Sequence, residues 1–361
     1  MKKQQKIFFD FLRFCIGAAK EIPVSLKDAD WKELYAIAKK QCLVGVLFDG
    51  IKKLPAEHVG MKKELLLQWM TESQMLEKAN VRLNDAAIQV SEWFRKKGFR
   101  TCILKGQGNA LMYPNPNSRT PGDIDIWVEG GDKRVISFVR SISPHEKACY
   151  HHIEFPSYKG VEVEVHYRPS FLLCFWHNRK LQKYYERVKE EQFSHRVMLG
   201  KEGEVAIPTA EFNVIFQLTH IFSHLMNEGI GLRQLLDYYY VLISDDLLLI
   251  RDRVQKKLKE LGLWKFAGGI MYIMQEVFGM PASQLIIPPN EKYGKFVLNE
   301  VLEAGNFGKH DERYWFGKSK LGHNLQRVYR DIRLVTYFPA EALCEPIFRT
   351  WHFFWRMKNK K

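Results

Sequence analysis

The chain has 361 residues, of which 46% are hydrophobic and 27% charged, a composition that is ordinary for a folded, soluble protein. The formal net charge of +14 at pH 7 favours polyanionic partners such as nucleotides, nucleic acids or anionic glycans, without choosing among them. The six cysteines are scattered without a Cys-x-x-Cys pair, so neither structural zinc nor a disulfide framework is expected, and reduced thiols favour a cytoplasmic protein.

The first part of the chain, residues 4–98, is predicted to be helical. Apolar side chains recur at helical spacing from Phe8 onward, and a long helical pattern runs from Met61 to Lys97. The first residues are amphipathic and lack the apolar segment of a signal peptide, and no stretch reaches the roughly 18 apolar residues of a membrane span. We interpret residues 1–98 as a helical cap on the part of the chain that follows.

The segment from Phe99 to Tyr113 is predicted to be a β-strand that turns through Gly106 and Gly108 into a short helix. Free backbone amides at such a glycine turn and helix start can hold phosphate oxygens. Lys105, next to the first glycine, adds a compact positive charge that suits phosphate. The segment is therefore a candidate phosphate-binding turn.

The next predicted strand carries two carboxylates, Asp123 and Asp125. Residues two apart in a strand face the same side of a sheet, so both carboxylates point one way while Ile124 and Ile126 point into the packed interior. Two like charges this close are unfavourable without a cation between them, and hard carboxylate oxygens favour Mg²⁺ or a similar ion. Taken alone, the strand leaves open an exposed sheet edge that merely carries two acids.

A predicted hairpin follows, with strands over residues 149–157 and 160–167. Its second strand alternates valines on one face with Glu162, Glu164 and His166 on the other. We expect the hairpin to place Glu164 beside the strand that carries the two aspartates. Glu162 faces the same way and stays a rival for the same position.

The core, residues 99–208, alternates strand and helix signals, whereas residues 209–361 return to helical periodicity. Residues 316–319 superficially resemble a P-loop, but the first glycine of that motif is missing. The tail, residues 347–358, mixes aromatic and basic side chains at helical spacing. This mixture favours packing on its own domain over a membrane surface or nucleic-acid bases.

Two pairs of side chains in the C-terminal region are four residues apart, which places each pair on one helix face. For His220 and His224 we expect core or cleft packing, because the glutamate of a His-Glu-x-x-His zinc site is missing. For Arg233 and Asp237 we expect an intrahelical ion pair. His220 and Arg233 remain lesser candidates for contact with a nucleotide or an acceptor.

A glycine turn, an Asp-x-Asp strand and a further acidic strand, in that order, resemble the DNA polymerase β-type nucleotidyltransferase superfamily. Within it, three segments are similar to the family of uncharacterised bacterial nucleotidyltransferases. They are Leu104-Lys105-Gly106, Arg119-Thr120-Pro121-Gly122-Asp123-Ile124-Asp125 and Val163-Glu164-Val165-His166-Tyr167. The resemblance implies an α+β fold, with a small mixed-sheet palm over residues 99–208 between helical regions over residues 1–98 and 209–361.

The resemblance also implies a metal-dependent nucleotidyltransferase, which moves an NMP group from a nucleoside triphosphate to an unidentified hydroxyl acceptor and releases pyrophosphate. Asp123, Asp125 and Glu164 would be the catalytic carboxylates and the ligands of two Mg²⁺ or Mn²⁺ ions. Glu162 stays the rival of Glu164 as the third carboxylate. The acceptor could be a protein side chain, a sugar, a small molecule or an RNA end.

The resemblance places the triphosphate at Lys105, Gly106, Gly108 and Arg119. The usual Gly-Ser turn of the superfamily is replaced by a turn without serine, so Lys105 or Arg119 would supply the missing contact. The alternative function is a catalytically silent nucleotide- or RNA-binding protein on the same fold. A helical scaffold that binds an acidic partner is a third hypothesis.

Overall fold

The computed structural model describes residues 2–200, 203–244, 247–311, 313 and 320–359, without the side chains of Leu248, Lys320, Leu321 and His323. Helices precede the sheet, as predicted for residues 4–98. These are α1 Lys3–Cys15, α2 Trp31–Lys40, α3 Val44–Ile51 and α4 Lys63–Lys96. Asp30 caps the start of α2, because its carboxylate accepts hydrogen bonds from the free backbone amides of Lys32 and Glu33.

A mixed sheet follows α4. Its strands are β1 Thr101–Ile103, β2 Ile124–Val128, β3 His152–Tyr158 and β4 Val161–His166. Their order is β1-β2-β4-β3, in which β2 and β4 are parallel and the other neighbours antiparallel. In the parallel pair, Asp125 lies opposite Glu164, which confirms the predicted placement of Glu164 beside the aspartate strand.

The hairpin of β3 and β4 turns at the predicted position. Lys159 and Gly160 have φ angles of 51° and 77°, as a tight two-residue turn between twisted strands requires. A second, separate pair of strands, β5 Arg196–Leu199 and β6 Gly203–Ala206, is antiparallel and does not extend the main sheet.

Helices also make up most of the remaining chain. They are α5 Gln107–Ala110, α6 Gly131–Ile142, α7 Phe175–Ser194, α8 Ala210–Asn227, α9 Leu232–Leu242, α10 Leu247–Glu260, α11 Trp264–Glu276, α12 Glu291–Ala304, α13 Lys320–Val335 and α14 Pro339–Lys358. A small mixed sheet with helices before and after it confirms the α+β class.

Within the described ranges, every helix is too short or too polar to cross a bilayer. The P-loop-like residues 316–319 lie outside the described residues.

The buried apolar side chains form two clusters on opposite sides of the sheet. One joins the second half of α4, the sheet and α6, and includes Ile124 and Ile126. The other joins the N-terminal helices to the C-terminal helices and includes Trp127. Because side chains alternate along β2, Asp125 points toward the side of Trp127, where the C-terminal helices pack.

Candidate active site

Three carboxylates converge at the start of β2 and in the middle of β4. The ligand oxygens of Asp123, Asp125 and Glu164 all lie within 4.8 Å of one another. Asp125 is 4% exposed, whereas Asp123 and Glu164 are half-buried. A set of carboxylate oxygens at this spacing is the ligand type of hard divalent cations, so the donor set fits Mg²⁺ or Mn²⁺.

The structure distinguishes the two rival glutamates. Glu164 lies opposite Asp125 in the parallel strand pair and belongs to the carboxylate group. Glu162 is exposed, and it is absent from every possible metal-binding group among the described residues. The geometry therefore favours Glu164 as the third carboxylate.

Two basic side chains neutralise the carboxylate cluster from within the protein. Lys105 Nζ lies 2.8 Å from Asp125 Oδ1, and His166 Nε2 lies 3.0 Å from the same oxygen. His166 Nε2 also lies 3.4 Å from Glu164 Oε2, while its Nδ1 faces the Arg168 carbonyl oxygen at 3.3 Å. Both ring nitrogens of His166 thus face acceptors, which is the pattern of a charged imidazolium.

The surroundings separate the pKa values of these groups. Repulsion by Asp125, with burial, raises the pKa of Asp123 to about 6. Burial also opposes the charge of Asp125, but Lys105 and His166 outweigh it and hold the pKa of Asp125 well below its usual range. Burial likewise opposes the charge of His166, but its hydrogen bonds to Asp125 and Glu164 raise its pKa to about 9. At neutral pH the site therefore contains charged carboxylates held by charged bases.

The predicted phosphate turn is only partly directed at this cluster. Gly106 has a φ of 53°, and a Cβ there would lie 3.7 Å from the Asp123 carbonyl oxygen, so the turn passes directly beside the cluster. Gly108 instead packs on Ile207, because an added Cβ would lie 3.0 Å from the Ile207 Cγ2 atom. The following helix, α5, is a single turn of four residues. Lys105 and Gly106 are thus the members of the turn that the structure brings to the carboxylates.

Arg119 is 4% exposed and is bound to a carboxylate on α9. Its Nε and Nη2 donate to the two oxygens of Asp237, each at 2.8 Å, and the Tyr113 hydroxyl donates to Asp237 Oδ1 at 2.7 Å. Arg119 nevertheless borders a small cavity of about 30 Å³, which Asp123 also lines. Its role as a triphosphate ligand stays a prediction.

The predicted intrahelical pair of Arg233 with Asp237 is wrong. Among the described residues, Asp237 forms its ion pair with Arg119, while Arg233 Nη1 donates to the Thr120 carbonyl oxygen at 3.2 Å. The planar fork of Arg119 matches both carboxylate oxygens at once, and a pair held by two parallel hydrogen bonds is stronger than one held by a single contact. Helical spacing permitted the predicted pair, but packing across helices decided the partner.

A cleft of about 650 Å³ opens beside the carboxylate cluster. Lys105, Asp123 and Glu164 line one wall of the cleft. Cationic side chains from the C-terminal region line it as well, and these are Lys309, Arg327, Arg349 and Arg356. Glu345 pairs with two of these cations, Arg327 and Arg349. A cleft that contains both carboxylates and cations suits a polyanion that binds together with a metal ion. Sequence reasoning missed the four cations because no local motif contains them.

Histidines form a further part of the cleft lining. They are His151, His152, His166, His220, His224 and His352. His220 Nε2 lies 3.2 Å from Lys105 Nζ, and the His220 and His224 rings are 4.3 Å apart. Burial lowers the pKa of His220 well below its usual value, so its ring is neutral and can accept a hydrogen bond from the Lys105 ammonium. The predicted core or cleft packing of this pair is confirmed as cleft packing.

The predicted aromatic tail is α14, and one of its faces packs on the protein. Phe348 is 5% exposed, and its ring stacks on Phe171 at 5.2 Å between centroids. Phe354, on another face of α14, is 63% exposed. The helix therefore packs Phe348 into the cleft wall but leaves Phe353 and Phe354 more than half exposed, so the prediction that its aromatic face packs on its own domain holds only for part of that face.

Comparison with known proteins identifies a family and a distant structural likeness. A family model described as "Uncharacterised nucleotidyltransferase" matches residues 27–279. The curated proteins contain no match. Among solved structures, the chain is similar to an antigenic nucleotidyltransferase-like protein from Paracoccidioides brasiliensis. The two share 15% identity over 50% of this chain and 90% of that chain, with a TM-score of 0.28.

Proposed function

Because the chain belongs to the uncharacterised nucleotidyltransferase family, we propose that it is a metal-dependent enzyme that transfers an NMP group from a nucleoside triphosphate to a hydroxyl acceptor. In this reaction the acceptor oxygen bonds to the α-phosphorus, the bond between the α-phosphorus and the bridging oxygen breaks, and pyrophosphate leaves. The hydroxyl proton is lost to a base or to water. The observation that carries the proposal is the convergence of Asp123, Asp125 and Glu164 at the cleft.

The carboxylates supply the ligand set for the divalent ions. Asp123 and Asp125 would hold both ions, and Glu164 would hold the one nearer the acceptor. Bound there, Mg²⁺ or Mn²⁺ would stabilise the entering and leaving oxygens of an in-line displacement. Glu164 also lies within reach of His166 and His152, at 3.4 Å and 3.3 Å, which fix its orientation toward the cluster.

The basic residues would bind the triphosphate. Lys105 Nζ lies 2.8 Å from Asp125 and lines the cleft, so it is placed to contact both the carboxylates and a phosphate. Gly106 and Gly108, with Arg119, remain the further triphosphate candidates. Lys309 and Arg356 line the same cleft and would balance the negative charge of the phosphates.

Pyrophosphate release tests the proposal directly. Each of the four nucleoside triphosphates is incubated with Mg²⁺, the protein and a cell lysate that supplies acceptors. We expect Asp125→Asn and Glu164→Gln to reduce pyrophosphate release at least about a hundredfold, because each removes a carboxylate that would hold the divalent ions needed for the displacement. The matched control is Glu162→Gln, which changes an exposed glutamate on the same strand and should retain activity within about twofold.

Calorimetry with each triphosphate separates the enzyme from a silent binding protein. Nucleotide binding without metal, with no pyrophosphate from any triphosphate, would contradict the proposal and support the binding protein. If pyrophosphate is released, mass spectrometry of the labelled lysate identifies the acceptor as protein, sugar, small molecule or RNA.

A further inference from the structure

A second group of metal-ligating side chains lies where the start of α7 meets α14. Cys174 immediately precedes α7 and His177 lies in its first turn, whereas Glu341 and Cys344 lie in the first two turns of α14. The two residues of each pair are three positions apart, a spacing that directs both side chains to one face of a helix. A Cys-x-x-His pair at the start of α7 therefore faces a Glu-x-x-Cys pair at the start of α14.

The distances within the group match a metal site. The ligand atoms of Cys174, His177 and Glu341 all lie within 4.8 Å of one another. His177 Nδ1 lies 3.2 Å from Glu341 Oε1. A tetrahedral site with metal–ligand bonds of about 2.0–2.1 Å has ligand atoms about 3.3 Å apart, so this pair already has the required separation. Cys344 lies next to this group, with its thiol near enough to that of Cys174 for the two to interact, but its sulfur is outside the set of atoms that lie within 4.8 Å of one another.

Independent contacts confirm that the two helices meet at this point. The ring of Phe175, next to Cys174, lies 6.2 Å from the ring of Phe348, one turn beyond Cys344. Cys174 and Glu341 are 167 residues apart in the chain, yet the Cys174 backbone amide donates to Glu341 Oε2 at 2.9 Å. The halves of the group are therefore joined by packing and hydrogen bonding between α7 and α14.

The side chains are held in place by contacts outside the group. Glu341 Oε2 accepts hydrogen bonds from the backbone amides of Leu173, at 2.6 Å, and Cys174, which leaves Oε1 directed at His177. The His177 ring packs on Gly262, where an added Cβ would come within 2.3 Å of the ring. A ligand group with fixed orientations loses little conformational entropy when a metal binds.

Glu341 is a buried acid that lacks a full compensating charge. Its exposure is 4%, and among the described residues its only ion-pair partner is His177, with no lysine or arginine. Burial of a carboxylate is costly unless a cation is paired with it, and backbone amides supply only partial charge. A bound cation between Glu341, His177 and the two thiols would remove this cost.

We propose that Cys174, His177, Glu341 and Cys344 bind a structural Zn²⁺ ion. Two sulfurs, one imidazole nitrogen and one carboxylate oxygen match the preference of zinc, whereas Mg²⁺ and Ca²⁺ prefer oxygen ligands alone. On binding, each thiol loses its proton to solvent and its sulfur bonds to the metal, without any transfer of electrons. Four protein ligands fill a tetrahedral site, so this ion has a structural role.

The zinc site would fix one wall of the cleft. Farther along α14, Phe348, Arg349 and Arg356 line the cleft beside the carboxylate cluster. A metal that joins the start of α14 to the start of α7 holds these side chains at a constant distance from the sheet. The proposal rests on this junction alone and is independent of the proposed transfer reaction.

Metal analysis of the untagged, full-length protein, purified under reducing conditions without chelator, tests the proposal. We expect inductively coupled plasma mass spectrometry to find about one zinc ion per chain. Replacement of zinc by Co²⁺ should give a thiolate-to-cobalt charge-transfer band and the strong visible bands of a tetrahedral site. Cys174→Ser and Cys344→Ser should lose the zinc and both spectral features.

Two cysteine variants serve as controls. Cys149→Ser changes a thiol in the cleft, which lies close to His151 and His152, and Cys15→Ser changes a buried thiol in α1. Both controls should keep the zinc. Absence of zinc from the wild type, loss of zinc only in Cys149→Ser, or a Cys174–Cys344 disulfide in protein purified without oxygen would overturn the proposal.

Thiol titration of the wild type decides the question if the variants fail to fold. A mercurial reagent is added stepwise in the presence of a zinc indicator. We expect one zinc to be released as two thiols react, whereas reaction of the thiols without any release of zinc would contradict the site.

Discussion

At the scale of single residues, the clearest feature is a set of buried charges that are compensated by residues distant in sequence. Asp125 is neutralised by Lys105 and His166, and Asp237 by Arg119. A buried charge that loses its partner costs far more than a surface charge does. Substitution of Asp125 therefore tests a contact that matters for function, and substitution of Asp237 or Arg119 tests a contact that matters for stability.

Arg119→Met should lower the free energy of unfolding by about 3–5 kcal/mol, because it leaves the Asp237 carboxylate buried without its partner. Urea unfolding, followed by circular dichroism, measures the change. The double variant Arg119→Met with Asp237→Asn removes the orphaned charge and should recover part of the loss. Equal stability of the single and double variants would show that the charge pair is not the cause.

The same pair predicts a pH dependence of stability. Burial by itself would raise the pKa of Asp237, but the charge and hydrogen bonds of Arg119 outweigh it and lower that pKa. A lowered folded-state pKa contributes stability above the unfolded value of about 3.9, and this stability is lost as the pH falls through the folded pKa. Unfolding midpoints measured from pH 6 to pH 2 should therefore fall less steeply below pH 4 in the double variant than in the wild type.

At the scale of elements, the parallel pairing of β2 with β4 brings Glu164 opposite Asp125, and the β3–β4 hairpin holds β4 on its other side. Its turn depends on two positive φ angles, at Lys159 and Gly160. Glycine adopts such angles without strain, and a β-branched residue does not. The turn therefore fixes the pairing of β3 with β4, the strand that carries Glu164.

Gly160→Val should lower the free energy of unfolding by about 1–2 kcal/mol, which is the cost of a left-handed backbone for a residue with a branched side chain. Lys159→Asn is the matched control at the other turn position, because asparagine tolerates a positive φ and should leave stability nearly unchanged. Denaturant unfolding compares the two variants. Equal losses would contradict the assigned backbone conformation of the turn.

At the scale of the whole molecule, the cleft is formed by parts of the chain that are far apart in sequence. Its lining includes Glu164 from the sheet and Arg356 from near the end of α14. The N-terminal and C-terminal helices also share one buried apolar cluster. The division into three regions, with boundaries at residues 98 and 208, stays a prediction. It rests on sequence patterns, which do not show the contacts between the regions.

Arg356→Gln should weaken triphosphate binding about tenfold, since a hydrogen bond to a charged group contributes about 1.5 kcal/mol. Lys358→Gln is the matched control, because Lys358 is exposed on the same helix and is not part of the cleft lining. Calorimetry with a triphosphate and Mg²⁺ measures both variants, and thermal unfolding checks that they stay folded. If both variants bind equally, the assignment of Arg356 to the phosphates is incorrect.

Local spacing was enough to predict the elements, but it placed Glu162 and Glu164 on the same face, and Glu164 was chosen from the resemblance to a known family. Helical periodicity identified α4, alternation identified β2 and β4, and the Lys159-Gly160 turn identified the hairpin that joins β3 to β4. These predictions succeeded because periodicity reports directly which face of an element a side chain occupies.

The tertiary structure alone decided which distant faces meet. It paired Asp237 with Arg119, placed Arg356 in the cleft, and brought Cys174 into contact with Glu341. Spacing along the chain carries no information about the element that packs opposite, because that choice depends on the fit of many side chains at once. The sequence by itself therefore determined the chemistry available on each element, and packing decided which of those groups act together.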